Sequence, residues 1–94
     1  MSKNAINSEL NKTGVVVVKV PHDFDKHDIV VESASSQTYV IKRKVIRGSR
    51  FVPFESNNIN SDSSGTWFLP GTEYFEFTPS STDEYSVIIN SVES

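Results

Sequence analysis

The run Gly14-Val15-Val16-Val17-Val18-Lys19-Val20-Pro21 constrains this chain more than any other feature. Four consecutive valines carry branched Cβ atoms, which restrict the side chain in a helix and pack well on a pleated surface. The proline that follows lacks a backbone donor and closes the segment. In a strand Val16, Val18 and Val20 share one face, while Val15 and Val17 point the other way with Lys19. Both faces therefore meet protein surface, the second against a neighbouring subunit, the N-terminal segment or the inside of a sandwich.

Composition extends the argument to the rest of the chain. Val and Ile supply 19 of the 94 residues and Leu two, an inventory that favours strands throughout. The expected fold class is all-β: a small antiparallel β-sandwich of jelly-roll or fibronectin/immunoglobulin-like type, with a small OB-like β-barrel as the alternative. A single β domain is expected over residues 14–94. Residues 1–13 read as a flexible or assembly arm, in which Ile6 and Leu10 share one side of a short helical turn.

Further along, residues 29–31 and 37–46 read as strands that pair in a hairpin, and residues 51–54 as a short extended piece. Residues 55–65 hold Asn, Ser and Asp around a single Ile59 and read as the longest loop. Residues 73–78 alternate cleanly, with Phe75 and Phe77 inward, and are expected to pair with residues 85–92 as a second hairpin. In that last strand Tyr85, Val87 and Ile89 share a face, and Ile88 and Val92 lie on the reverse. Val15, Val17, Ile88 and Val92 are accordingly the candidate interface residues.

The segment Leu69-Pro70-Gly71-Thr72-Glu73-Tyr74 resembles the stretch leading into the next-to-last strand of fibronectin type III domains. There a proline–glycine turn precedes a strand tyrosine. The resemblance implies a sandwich and, by association, a role in adhesion or scaffolding.

The formal net charge of -3 hides a division: residues 1–50 hold all nine bases and five acids, residues 51–94 seven acids and no base. Oppositely charged regions of this kind meet either within one subunit or between subunits. Lys42, Arg43, Lys44, Arg47 and Arg50 form the basic centre, with Phe51, Phe54 and Trp67 following. Cations that meet phosphates beside rings that stack on bases are the chemistry of single-stranded nucleic-acid or polyanion contact.

His22, Asp23, Asp25, His27 and Asp28 are the weak metal-ligand candidates, without the spacing of an EF-hand or a zinc motif. Asn58, Asn60 and Asp62 imitate alternating calcium ligands but lack the glycine and distal glutamate of such a loop. There is no cysteine, no phosphate-cradling glycine motif and no nucleophile elbow, so neither catalysis nor a cofactor is expected. No window has the roughly 18 apolar residues of a membrane span, and the N-terminus lacks a classical signal peptide. The expectation is a soluble, non-catalytic structural or protein-interaction module with a protein partner and no membrane contact. Self-association as a trimer or dimer is the favoured form, in the manner of an accessory or decoration component of a virus particle, cytoplasmic before assembly.

Overall fold

The computed structural model describes residues 3–60 and 63–93, with residues 55–60 as backbone. Eight strands follow in order: β1 (Asn4–Lys12), β2 (Val16–Lys19), β3 (Lys26–Ser33), β4 (Thr38–Val45), β5 (Val52–Asn60), β6 (Ser63–Phe68), β7 (Thr72–Pro79) and β8 (Tyr85–Val92). They form two antiparallel four-stranded sheets, A in the order β1-β8-β3-β6 and B in the order β2-β7-β4-β5. The chain thus pairs first strand with last, second with seventh, third with sixth and fourth with fifth. A long hairpin wrapped in this way into two stacked sheets is a jelly roll, and it is not closed into the OB-like barrel.

This wrapping overturns both expected hairpins. Strands β3 and β4 lie in different sheets, as do β7 and β8, so their connections arch over the core. Local alternation assigns faces but not partners, and a strand finds its partner through contacts distant in sequence. Of the stretch expected as a loop over residues 55–65, residues 55–60 are instead the latter part of β5 and residues 63–65 the start of β6, while 61–62 lie outside the described residues. Both are edge strands, where polar side chains are tolerated and discourage pairing with other chains.

Residues 4–12 form strand β1 along β8, where a helical turn or arm was expected. Its alternation of exposed Asn4, Ile6, Ser8 and Leu10 with half-buried Ala5, Asn7 and Glu9 is that of a strand. The pairing register shifts between Glu9 and Lys12, where Asn11 takes a left-handed φ of 55°. Such a bulge twists an edge strand, and Asn tolerates that conformation better than most residues.

The inner faces behave as their alternation dictates. Phe77 lies between Val16 of β2 and Ile41 of β4, and Phe75 is flanked by Val18. Sheet A contributes Ile29, Val31, Tyr85, Val87 and Ile89 to the same core. Aromatic rings bridge the layers, with Tyr39 and Tyr85 centroids 5.0 Å apart and Phe54 and Trp67 5.7 Å apart in an edge contact. Each such side chain contributes about 1.5–3 kcal/mol through burial. At Pro70-Gly71 the turn into β7 uses a φ of +78° at the glycine, which a Cβ would disfavour. That segment does lead into the next-to-last strand, as its fibronectin resemblance implies, but the eight-stranded order is the jelly roll's.

Candidate interaction face

The outer face of sheet A follows from strand register. Residues opposite one another in adjacent antiparallel strands point to the same side. One row holds Asn4, Val92, Lys26 and Phe68; the next Ile6, Asn90, Asp28 and Thr66; the third Ser8, Ile88, Val30 and Ser64. Ile6 is 66% exposed, Phe68 65% and Val30 37%, next to half-buried Ile88 and Val92. An apolar set of this extent on one sheet face marks a contact surface better than scattered single residues do. Its polar members are strapped across strands: Asn4 donates Nδ2 to Asn90 Oδ1 at 3.0 Å, and Thr66 donates Oγ1 to Asp28 Oδ1 at 2.7 Å.

The four interface candidates divide between the two faces of the sandwich. Ile88 and Val92 lie on the outer face of sheet A, whereas Val17 points outward from β2, the edge of sheet B, and Val15 is exposed just before it. Ile6, Val30 and Phe68 were missed by sequence reasoning. For Ile6 the signal was present, because Ile6 and Leu10 are also two strand positions of like parity.

The basic centre is likewise split. Lys42 and Lys44 point outward from β4, Lys42 opposite Glu76 and Lys44 opposite Tyr74, while Lys19 flanks Tyr74 on its other side. The Lys44 ammonium lies 5.4 Å from the Tyr74 ring centroid and 6.0 Å from that of Phe51. Arg47 and Arg50 are exposed in the segment joining β4 to β5, Arg47 with a left-handed φ of 65°. Arg43 has the opposite parity, and its Nη1 donates to the Pro70 carbonyl at 3.2 Å and to Thr72 Oγ1 at 3.1 Å. It fastens the turn into β7 instead of joining the basic surface.

The five metal-ligand candidates are dispersed. His22 and Asp23 sit in the exposed connection after β2, Asp28 faces outward on sheet A, and His27 points into the core. Consecutive strand residues face opposite ways, which prevents His27 and Asp28 from sharing a site. No group of three or more His, Asp or Glu among the described residues is placed to hold a metal ion. Asp62, from the calcium-like spacing, lies outside the described residues, as do the side chains of Asn58 and Asn60. His27 is fully buried against Ser91 and edge-on to Phe75, with ring centroids 5.1 Å apart. Burial pushes its pKa below the ordinary 6.5, opposed by the Leu69 backbone and the Asp25 and Asp28 carboxylates and aided by Arg43. A neutral, enclosed imidazole of this kind is a packing group.

An open depression of about 350 Å³ at the end of the sandwich is lined by Asn11, Glu32, Ser33, Ala34, Glu84, Tyr85 and Ser86. It contains neither an imidazole nor a lysine that would complete an acid–base pair with its carboxylates. No helix among the described residues is long and apolar enough to cross a membrane.

No protein-family model matches the chain, and no curated protein sequence matches it. Solved structures share its fold. The SPBc2 prophage-derived protein YomS superposes with a TM-score of 0.72 at 12% identity, over 99% of this chain and 96% of that one. The Yersinia pseudotuberculosis-derived mitogen gives 0.55 at 10% identity, over 100% and 86%. Eiger TNF from S. frugiperda gives 0.53 at 12% identity, over 97% and 92%. At these identities the likeness is one of fold, shared with a prophage-derived protein, a mitogen and a TNF.

Proposed function

We propose that this chain is a non-catalytic structural module that self-associates through the outer face of sheet A. Its setting is a virus particle or another large assembly, in which it is an accessory or decoration component, soluble before incorporation. The observation that carries the reading is the apolar set Ile6, Val30, Phe68, Ile88 and Val92 on a single sheet face. Covering such a face contributes about 25 cal/mol per Å² of apolar area taken out of water. The fold shared with a prophage-derived protein supports the setting. Sedimentation equilibrium of the full chain at micromolar concentration tests the reading: a dimer or trimer is expected, and a monomer at every concentration overturns self-association.

A second reading rests on sheet B. Tyr74 lies between Lys19 and Lys44 on its outer face, with Arg47 and Arg50 exposed at the adjoining end. That arrangement suits a single-stranded nucleic acid, phosphates on the cations and a base on the ring. Binding that is measurable at low salt and weakens steeply as salt rises is the expected result. Absence of binding at low salt removes this reading.

A further inference from the structure

The polar residues on the outer face of sheet A are placed to meet complements on a second copy. This rests on the self-association reading and specifies its geometry. Face-packed sheets lie about 10 Å apart with strand directions within about 30° of each other. A two-fold axis in the contact plane then runs either across the strands or along them. Across the strands, each strand lies reversed over its own copy, and as the axis is moved along them Asp28 meets the partner's Lys26, Asp28, Val30 or Glu32 while Asn90 meets its Val92, Asn90, Ile88 or Ser86, so that no position gives both a favourable polar partner. A polar group left there without a partner costs about 1–3 kcal/mol, and a carboxylate on a methyl group or another carboxylate more.

Along the strands, the rows stay level and β8 lies over β3 of the other copy. Ile88 then meets the partner's Val30, Asn90 the partner's Asp28, and Ser86 the partner's Glu32, while at the end of the face the exposed Lys26 lays its aliphatic stem over the partner's Val92 with its ammonium at the rim. Each contact occurs twice, as a two-fold interface requires. The hydrogen-bonding groups are disposed to match. Asn90 uses Oδ1 to accept from Asn4, and its Nδ2 donor has no partner among the described residues. Asp28 accepts Thr66 on Oδ1, which leaves its second carboxylate oxygen for an incoming donor. Four strands about 4.8 Å apart and about 26 Å long present roughly 500 Å² of flat face, which side-chain relief raises toward the roughly 800 Å² per partner of a stable complex.

We infer that the outer face of sheet A is a two-fold dimer interface, with β8 of one copy over β3 of the other and Asn90 donating to the partner's Asp28 carboxylate.

The test uses the full chain, with sedimentation equilibrium and native mass spectrometry beside circular dichroism to verify folding. Asn90→Asp sets carboxylate against carboxylate at both contacts and raises the dimer dissociation constant by about tenfold or more, whereas Asp28→Asn remains dimeric. Mixing N90D with D28N restores dimers that contain one chain of each, because both contacts become Asp against Asn. Asp28 is also the cross-strand neighbour of Asn90 within one chain, but adding a second chain cannot repair an effect confined to the first. An N90D chain as dimeric as the wild type, or a mixture without mixed dimers, overturns the inference. Val30→Glu provides a second variant for the case that N90D does not fold: it is expected to be a folded monomer, and a folded V30E dimer overturns the inference. Wild-type trimers, or wild-type dimers that fail these tests, overturn the inference and leave self-association standing on another contact, whereas a wild-type monomer removes both.

Discussion

His27 and Ser91 face each other across the β3–β8 ladder, the imidazole Nδ1 2.8 Å from the serine Oγ, at the inner face of sheet A. The other ring nitrogen, Nε2, is buried without a hydrogen-bond partner among the described residues. Desolvation of the charged ring outweighs what the Leu69 backbone and the Asp25 and Asp28 carboxylates return, and burial holds its pKa below 6.5.

The unfolded chain binds a proton at His27 near pH 6.5 while the folded chain resists it, so stability is full above that pH and falls as pH drops below it. Melting temperatures measured across this window are expected to decline on the acid side. His27→Gln lowers the melting temperature at neutral pH but flattens the acid decline. An unchanged acid decline in H27Q would assign it to the carboxylates.

Tyr85 gives the opposite limb. Its hydroxyl donates to the Gly14 carbonyl, holding the β1–β2 connection to β8, and burial raises its pKa to about 12. Above pH 10 the unfolded chain loses this proton while the folded chain keeps it, so stability falls as pH rises from about 10 to about 12. Tyr85→Phe should cost about 0.5–1.5 kcal/mol at neutral pH, and more through the unpaired carbonyl where water is excluded. Urea unfolding at pH 7 and pH 11 would measure both effects, the mutant showing the smaller difference between them.

Gly65 exists to receive Trp67. A Cβ on Gly65 would lie 2.6 Å from Trp67 Cη2, inside any real contact distance, and the indole ring also packs edge-on to Phe54 with centroids 5.7 Å apart. Gly65→Ala should destabilise by about 1–3 kcal/mol, the usual range for overpacking. Adding Trp67→Leu removes the clash, so the effect of G65A measured in W67L should shrink, as a double-mutant cycle by chemical denaturation will report.

The two kinds of basic residue separate cleanly. Arg43→Gln should lower the melting temperature, because Pro70 and Thr72 lose the guanidinium that fastens the turn into β7. It should leave any low-salt affinity for single-stranded DNA unchanged. Lys42→Glu with Lys44→Glu should abolish that affinity and alter stability little, since both ammonium groups lie on the outer face of sheet B.

Phe77→Ala should cost about 3–5 kcal/mol, as expected of a buried ring between Val16 and Ile41 with no room to collapse. Circular dichroism at increasing urea will show whether the domain still folds at all.

By itself the sequence determined the all-β class and the inward faces of the strong strands, Val16 with Val18, Phe75 with Phe77, and Tyr85 with Val87 and Ile89. Each follows from an alternation of period two within a few residues, which requires no knowledge of any partner. It also determined that the chain contains neither cysteine chemistry nor a phosphate-binding glycine loop. Only the tertiary structure decided that consecutive strands other than β4 and β5 enter opposite sheets, that the polar stretches of β1, β5 and β6 are strands, and that Ile6, Val30, Phe68, Ile88 and Val92 share one face. Sheet partners are chosen by contacts such as Asn4 with Val92, almost the whole chain apart, whose pairing becomes favourable only once the loop closure between them has been met by packing of the core. The same nonlocality turned Arg43 inward to a loop carbonyl and left Lys42 and Lys44 facing water, dividing a basic cluster that is continuous along the chain.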